Sequence, residues 1–298
     1  GYFLLLVSPD IRRATDKPIP KTVVFVVDRS GSMSGKKIEQ AKGALKFVLN
    51  NLGPSDLFNV VAYDNRVETF KPELQRYDDR SRKEALGFVG GIYAGGSTNI
   101  DSALQAALGQ LQDDKRPAYV VFLTDGLPTA GERRAAKIVE NAEKANRVRA
   151  RLFTFGVGYD VNSCLLDRLA RKGFGQSQYV RPDEDIEAHV ARLYQRIGAP
   201  VLVDVDVTWD LEGYPPEKGS PVSRVYPKGT FDLFAGNQLV VVGRYKQPGH
   251  AKVTISGTVN QQNQSYDFPA QLAESSTDDS QAFVEKLWAM RRVGEIID

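Results

Sequence analysis

The sequence contains very little cysteine and histidine, and it has neither a long apolar run nor an excess of one charge. Its single cysteine, Cys164, excludes an intrachain disulfide and any zinc site built from several cysteines. The 39 basic and 37 acidic residues leave a formal charge of +2, which creates no global field for nucleic acid or an anionic membrane. The apolar residues 1–7 are too few to span a bilayer and lack the pattern of a signal peptide, so we interpret them as a strand.

The remaining composition is that of a folded globular chain. Of the 298 residues, 42% are hydrophobic and 26% are charged, which argues against extensive disorder and allows one large core or two smaller ones. The sequence contains only two histidines, His189 and His250, which leaves few candidates for the histidine of a serine-histidine-acid triad. Cys164 falls in a predicted helix, where we expect an inert core position.

The chain is organised around one strand and the loop that follows it. Residues 23–27 are β-branched or aromatic throughout, which predicts a strand buried on both faces, as in a parallel sheet covered by helices. Asp28, Ser30 and Ser32 follow at alternate positions, so a tight loop can direct their oxygens to one point. Such hard oxygens suit a divalent cation, although this loop alone is equally compatible with a turn and a helix cap.

Two later segments favour the metal interpretation. Thr98 stands in a glycine-rich loop directly before a predicted helix, and Asp125 ends a second apolar strand, residues 118–124. Helical periodicity alternates with short apolar runs across this half of the chain, which predicts a doubly wound α/β sheet with ligands at the carboxyl ends of its strands. The predicted helices are 36–52, 81–89, 99–111, 135–150, 162–172 and 185–198, and the other strands are 56–62, 67–70, 151–157 and a short one around Tyr179.

The pattern changes after Pro200, where β-rich runs are separated by Gly, Pro and Asn without helices between them. These runs are too few for a sizeable sandwich, so we expect the strand near the N-terminus to complete it. The predicted organisation is a strand and connector at 1–19, an α/β domain at 20–199, a β-sandwich-like module at 200–272, and a polar linker with a final helix at 273–298.

The order Asp-x-Ser-x-Ser, then Thr98, then Asp125-Gly126 resembles the metal-ion-dependent adhesion site (MIDAS) of von Willebrand factor type A domains. Residues 19–199 resemble such a domain throughout. The resemblance implies a metal site formed by Asp28, Ser30, Ser32, Thr98 and Asp125. It also implies Mg²⁺ as the metal, with Mn²⁺ or Ca²⁺ possible, and an acidic group of a protein or matrix partner as the ligand. Three neutral direct ligands, from Ser30, Ser32 and Thr98, would leave the ion able to accept that group.

A second resemblance covers most of the remainder. The segments Phe231-Asp232-Leu233-Phe234 to Val241 and Phe283-Val284-Glu285-Lys286-Leu287-Trp288-Ala289 are similar to inter-alpha-trypsin inhibitor heavy chains and their bacterial relatives. In that group a β-sandwich domain called VIT precedes the A domain, and residues 1–7 resemble its last strand. The resemblance implies an extracellular or cell-surface location.

Alternatives remain at the level of sequence. The metal could activate water or a phosphoryl group in a hydrolase or phosphoryl-transfer enzyme, or it could only order the loops of a scaffold. We favour a binding module without catalytic residues, because the sequence offers no base or nucleophile beside the site. Thr98 could instead cap the following helix, as could Ser97 or Asn99. Arg29 could line the rim or be solvated, and Asp64 is more typical of a turn.

Overall fold

The computed structural model describes residues 1–8, 20–113, 116–197, 200–234, 238–259, 262–275 and 281–297. The chain divides into two compact units, one formed by residues 18–195 and the other by residues 1–17 together with 196–298. The boundaries predicted at residues 19 and 199 fall outside the described residues. Within the described ranges, no helix combines the length and apolar character needed to cross a membrane.

Strands and helices alternate in the first unit, whereas strands dominate the second. The strands are β1 (Tyr2–Val7), β2 (Thr22–Asp28), β3 (Leu57–Tyr63), β4 (Val67–Thr69), β5 (Gln75–Arg76), β6 (Ala118–Thr124), β7 (Arg151–Val157), β8 (Ser177–Val180), β9 (Pro200–Leu211), β10 (Val222–Tyr226), β11 (Phe231–Phe234), β12 (Leu239–Tyr245), β13 (Gly249–Val259) and β14 (Gln262–Leu272). The helices are α1 (Lys36–Asn51), α2 (Asp79–Gly91), α3 (Ile100–Leu108), α4 (Ala135–Ala145), α5 (Ser163–Lys172), α6 (Ile186–Ile197) and α7 (Phe283–Ile297).

A seven-stranded sheet forms the centre of the unit of residues 18–195. Its order is β4-β3-β2-β6-β7-β8, with β5 beside β3. The five strands from β3 to β8 in this order are parallel to one another, whereas β4 and β5 pair antiparallel to β3. The winding reverses between β2 and β6, which confirms the predicted doubly wound α/β class. The reversal places the carboxyl ends of these two strands side by side.

The sheet is covered on both faces, as the continuous apolar run of β2 predicts. Val24 and Val26 pack into a cluster with α3, α4 and α5, and Phe25, which points to the opposite face, is equally inaccessible to solvent. Every residue of β2 and β6 is buried. A strand enclosed in this way is a rigid support for the side chains that follow it.

The second unit consists of antiparallel sheets and one helix. One sheet has the order β1-β12-β10 and the other β11-β9-β13-β14, so the strand near the N-terminus pairs with β12. Phe3, Leu202 and Val241 belong to a core that draws on both sheets. Trp288 of α7 packs against Tyr226, within the same unit. Strands β10 and β11 were not predicted.

Two local predictions are wrong. The helix predicted over residues 135–150 ends at Ala145, because the Asn146 side chain exchanges hydrogen bonds with the backbone amide and carbonyl of Ala150 and so closes a turn. Arg149 in this turn has a φ of 54°, which is outside the helical range. Cys164 is exposed in the first turn of α5 rather than buried in the core.

Candidate metal centre

Three loops meet at the carboxyl edge of the sheet. The Gly31 amide donates to the Gly96 carbonyl at 3.0 Å, and the Gly95 amide donates to the Arg29 carbonyl at 2.8 Å. The Asn99 amide donates to the Asp64 carbonyl at 2.9 Å, which joins the loop after β3 to the same assembly. These backbone bonds fix the loop after β2 against the glycine-rich loop before α3.

Gly96 is required for this close approach. Its φ of 81° lies in the left-handed region, and a Cβ atom there would lie 2.8 Å from Asn65 Oδ1 and 3.2 Å from Asp64 Cβ. A larger residue would therefore be strained and would also push the two loops apart.

Asp28 lies at the end of β2 and is completely buried. Its Oδ1 atom accepts a hydrogen bond from the Ser30 amide at 2.7 Å, so the carboxylate folds back over its own loop. Its Oδ2 atom accepts from Thr124 Oγ1 at 2.6 Å and lies 3.4 Å from the Tyr63 hydroxyl. The carboxylate is thus held on both sides by the strands that flank β2.

A chain of hydrogen bonds connects the two predicted carboxylates. Ser30 Oγ and Ser32 Oγ lie 3.1 Å apart, and Ser32 Oγ donates to Asp125 Oδ1 at 2.7 Å. Because the Ser30 amide contacts Asp28, four of the five predicted ligands form one continuous cluster. Asp125 is 2% exposed, so its charge is nearly as enclosed as that of Asp28.

Thr98 stands at the same point. A Cβ atom built on Gly126 would lie 3.9 Å from Thr98 Oγ1 and 3.8 Å from Ser32 Oγ, which places both hydroxyls beside the residue that follows Asp125. The backbone of Thr98 is anchored by the Thr129 hydroxyl and the Thr129 amide. The cap of α3 is Asn99, whose side chain accepts from the Ser102 amide, so capping is not the role of Thr98.

Tyr63 and Thr124 were missed in the sequence, although strand register could have identified them. Asp28 is aligned with Tyr63 in the β2–β3 pair, and Val27 is aligned with Leu123 in the β2–β6 pair, which brings Thr124 level with Asp28. Hydroxyl side chains at these strand ends are therefore in reach of the central carboxylate. The signal is available only once the order of the strands is known.

Lys37 is another residue of the site that the sequence analysis did not identify. It lies in the first turn of α1, and its Nζ atom is 2.5 Å from Asp125 Oδ2 in a salt bridge. The Asp125 side chain is fully enclosed in this pair, and the Lys37 side chain is 32% exposed. One oxygen of Asp125 thus contacts the hydroxyl cluster while the other contacts an ammonium group.

Arg29 differs from both alternatives considered for it. It is buried rather than solvated, and its guanidinium pairs with Asp64 at 3.1 Å and Glu68 at 2.5 Å instead of facing outward from the rim. Asp64 also accepts from the Arg66 amide at 2.7 Å, which is the turn role expected for it. Together these ion pairs fix the loop after β3 rather than offering a free cation.

Burial dominates the electrostatics of the cluster. It raises the pKa of the Asp28 carboxyl, although hydrogen bonds from Thr124 and Ser30 oppose the shift, and the nearby Asp125 charge adds to it. Burial likewise raises the pKa of the Tyr63 hydroxyl, with the Asp28 charge as the next cause. Two carboxylates enclosed this closely favour a cation between or beside them.

Three exposed apolar side chains lie on the loops around the cluster. Tyr93 is 73% exposed with its ring 5.8 Å from the Arg29 guanidinium, Leu127 follows Asp125 by two residues and is 52% exposed, and Tyr159 is 79% exposed. Tyr159 adjoins Gly158, where an added Cβ would lie 3.5 Å from Lys37 Nζ. Single exposed apolar residues are common on protein surfaces, so it is the position of these three near the cluster that distinguishes them.

The residues present fit a small, hard divalent cation. The set comprises two carboxylates and three hydroxyls, which are oxygen donors of the kind that Mg²⁺ and Mn²⁺ prefer. No group of three or more His, Cys, Asp or Glu side chains suited to a metal occurs in the described parts of the chain, so a site built mainly from charged or soft ligands is absent there. The three hydroxyl oxygens are what makes this cluster distinctive.

The family of the chain follows from a comparison with sequence models of known domains. Residues 21–179 match the model described as von Willebrand factor type A domain, which is more than half of the chain. The chain belongs to the von Willebrand factor type A domain family. The five residues of the MIDAS resemblance all lie inside the matched range, hereafter the A domain.

The whole chain is similar to inter-alpha-trypsin inhibitor heavy chains. It is 31% identical to heavy chain H4 of Homo sapiens over 314 residues, and 29% identical to heavy chain H2 of Mesocricetus auratus over 318 residues. All of this chain is covered in both matches, but only 32% of either relative. The chain therefore spans about a third of the length of these relatives.

Solved structures agree on the fold. A von Willebrand factor type A protein from Catenulispora acidiphila has a TM-score of 0.67 at 18% identity, covering 94% of this chain and 74% of that one. A structure of proximal thread matrix protein 1 from the mussel byssus is described as having a zinc-occupied MIDAS motif. It has a TM-score of 0.50 at 18% identity, and the match covers 64% of this chain and 47% of that chain.

Other candidate groups lie apart from this cluster or have a structural role. His189 on α6 lies 3.6 Å from Glu184, and His250 begins β13 in the second unit. Gly158 follows β7 with a φ of 102°, and its amide donates to the Val180 carbonyl, which is the arrangement of a strand-end turn.

Proposed function

We propose that the A domain is a metal-ion-dependent binding module whose divalent cation accepts an acidic group of a protein partner. The observation that carries the proposal is the continuous cluster from Asp28 through Ser30 and Ser32 to Asp125, with Thr98 beside it. Ser30, Ser32 and Thr98 would hold the ion as neutral ligands, and Asp28 and Asp125 would contribute charge directly or through water. The bound ion supplies an electrophilic position for a carboxylate.

Mg²⁺ is the metal we propose, with Mn²⁺ as an equivalent and Ca²⁺ as a weaker substitute. Mg²⁺ accepts one or two carboxylates and otherwise neutral oxygen ligands, which matches this donor set, whereas Ca²⁺ takes more ligands. The zinc reported for the mussel protein extends the list of ions to be compared. Zn²⁺ usually selects histidine or thiolate ligands, so we rank it below Mg²⁺ and Mn²⁺ here.

A protein partner is supported by the surface around the cluster. Tyr93, Leu127 and Tyr159 would be large apolar contacts around a central charged contact, which is the arrangement of protein interfaces with a desolvated anchor. The similarity to inter-alpha-trypsin inhibitor heavy chains, whose name refers to an inhibitor of a protein, is compatible with a protein partner. The extracellular or cell-surface location implied by that resemblance stays a prediction.

A hydrolase or phosphoryl-transfer enzyme is the second candidate, and we rank it below binding. Its support is the presence of two buried acids at one site. Against it, the side chains that contact these acids are hydroxyls and one ammonium, and His189 is engaged near Glu184 on α6. A scaffold in which the ion only orders loops is the third candidate.

Calorimetric titration of metal-stripped protein with MgCl₂, MnCl₂, CaCl₂ and ZnCl₂ tests the proposal. We expect saturable binding of Mg²⁺ and Mn²⁺ that is lost in Asp28→Ala and weakened at least about tenfold in Thr98→Ala, since each removes an oxygen ligand. Asp101→Asn is the matched control, because Asp101 is also a buried acid of this unit but binds Gln105 and Asn141 on helices.

The control should bind as the wild type does. Absence of metal binding in the wild type, or equal loss in Asp101→Asn, would reject the metal centre. Binding that survives both ligand substitutions would place the ion elsewhere.

A further inference from the structure

Lys37 divides the charge of Asp125 between two neighbours. The carboxylate accepts from Ser32 Oγ through Oδ1 at 2.7 Å and pairs with Lys37 Nζ through Oδ2 at 2.5 Å. The first oxygen contacts the hydroxyl cluster and the second contacts the ammonium group. An ion held by the cluster would therefore share this carboxylate with the Lys37 side chain.

The position of Lys37 is not explained by its own helix. Lys36 and Lys37 occupy the first turn of α1, where the helix dipole disfavours positive charge. The contact with the buried Asp125 side chain compensates for that cost. Gly158 lies near the ammonium, since a Cβ atom added to it would be 3.5 Å from Nζ. The salt bridge to Asp125 therefore holds the lysine at the site.

The formal charges of the cluster determine what it attracts. Two carboxylates, Asp28 and Asp125, and the ammonium of Lys37 leave one net negative charge when all three are ionised. A divalent cation changes that to one net positive charge. Without Lys37 the same ion would be neutralised completely and would attract an external carboxylate less.

We propose that Lys37 lowers the metal affinity of the cluster and thereby keeps the occupied site positively charged for an anionic ligand. This inference rests on the proposed function, since it concerns the same metal site. It assigns to Lys37 the role of a positioning and charge-setting residue rather than of a ligand. Metal and carboxylate ligand then bind cooperatively, each favouring the other.

The test compares Mn²⁺ and Mg²⁺ affinity by calorimetry in wild type, Lys37→Met, Lys37→Gln and Lys36→Met. Lys37→Gln keeps a donor for Asp125 Oδ2 without the charge, so it remains informative if Lys37→Met is poorly folded. Lys36→Met removes the same charge from the adjacent, exposed position of the same turn. We expect the metal to bind at least about tenfold more tightly when residue 37 is neutral. The reason is that the metal cation and the Lys37 ammonium would repel each other beside the enclosed Asp125 carboxylate.

Lys36→Met should change the affinity by less than about twofold because an exposed charge is screened. Equal or weaker metal binding in both residue-37 variants, with a wild type that binds, overturns the role of Lys37 and leaves the metal centre intact. Loss of binding in every protein, including the wild type, rejects both proposals.

The ligand half is tested with acetate as the carboxylate probe at saturating Mn²⁺. Sodium acetate, compared with equal sodium chloride, should raise the thermal midpoint of the wild type and of Lys36→Met, and should raise that of Lys37→Gln less. An equal response of all three proteins to acetate would show that Lys37 does not set the charge seen by the ligand.

Discussion

Asp28 combines complete burial with three hydrogen-bond donors of different kinds. The Ser30 amide can only donate, whereas the hydroxyls of Thr124 and Tyr63 can donate or accept. The side-chain oxygen of an asparagine at this position can accept the hydrogen bond from the Ser30 amide. Its side-chain nitrogen can donate to the two hydroxyls. The geometry of residue 28 therefore tolerates loss of charge, while the proposed metal site does not.

We predict that Asp28→Asn makes the metal-free protein more stable at neutral pH. The pKa of Asp28 is raised in the folded state by burial, so between the unfolded and the folded pKa the folded form binds a proton that the unfolded form has lost. The free energy of unfolding of the wild type should fall relative to that of the variant as pH rises from the unfolded pKa, about 3.9, to the raised folded value. At lower pH the difference between the two proteins should be constant.

Urea denaturation of metal-stripped proteins at a series of pH values measures this difference. Excess Mg²⁺ should reverse the order at neutral pH, since only the wild type gains binding free energy. A difference that does not change with pH would mean that the charge of Asp28 is not the source of the instability.

Sequence reasoning reached the five proposed ligands because spacing along the chain carries their signal. Asp28, Ser30 and Ser32 alternate within one loop, and Thr98 and Asp125 sit where segments of regular structure end. Lys37 carries no such signal, since it is one of two consecutive lysines and becomes part of the site only through the position of α1. The burial of Arg29 was missed for the same reason, as its partner Glu68 lies on β4.

At the scale of the elements, Asp56 ties the start of β3 to the start of β2. Its carboxylate accepts from the Lys21 backbone amide at 3.0 Å, from Lys21 Nζ at 2.9 Å and from the Gly53 amide at 2.9 Å. Both side chains are almost fully enclosed, and the ammonium also lies 5.2 Å from the Tyr194 ring of α6. One ion pair thus connects two strands, a loop and a helix.

We predict that Asp56→Ala lowers the free energy of unfolding by about 3 to 5 kcal/mol, because it leaves the Lys21 charge buried without its partner. Chemical denaturation followed by circular dichroism measures the loss. Lys71→Ala is the control, since it breaks the half-exposed pair with Glu84 and should cost far less. The double variant Lys21→Met with Asp56→Ala should recover part of the loss. Equal effects of the buried and exposed substitutions would contradict the role of Asp56.

The elements predicted most accurately are those with a strong internal pattern. Strands β6 and β7 begin and end at the predicted residues because apolar runs enclosed by two helical layers have abrupt ends. Strands β10 and β11 are short and depend on pairing with β12 and β9, which are distant in sequence. Local propensity gives little information about such strands.

At the scale of the whole molecule, the described residues form two units with separate apolar cores. The A domain core includes Val24 and Phe122, and the second core includes Phe3 and Val241. All five proposed metal ligands and Lys37 belong to the unit of residues 18–195. A place for residues 2–7 in the β-rich module was expected on the count of strands, but their pairing with β12 and its register, with Tyr2 opposite Arg244, require the structure.

This division predicts where metal will protect the backbone. Hydrogen exchange measured by mass spectrometry with and without Mg²⁺ should slow in peptides covering residues 28–33, 95–99 and 124–130, because the ion would tie together loops that are now joined by few hydrogen bonds. Peptides from β10 and β13 should exchange equally in both conditions, as should all peptides of Asp28→Asn. Comparable protection in the strands of the second unit would instead indicate that metal binding at the A domain is coupled energetically to the second unit.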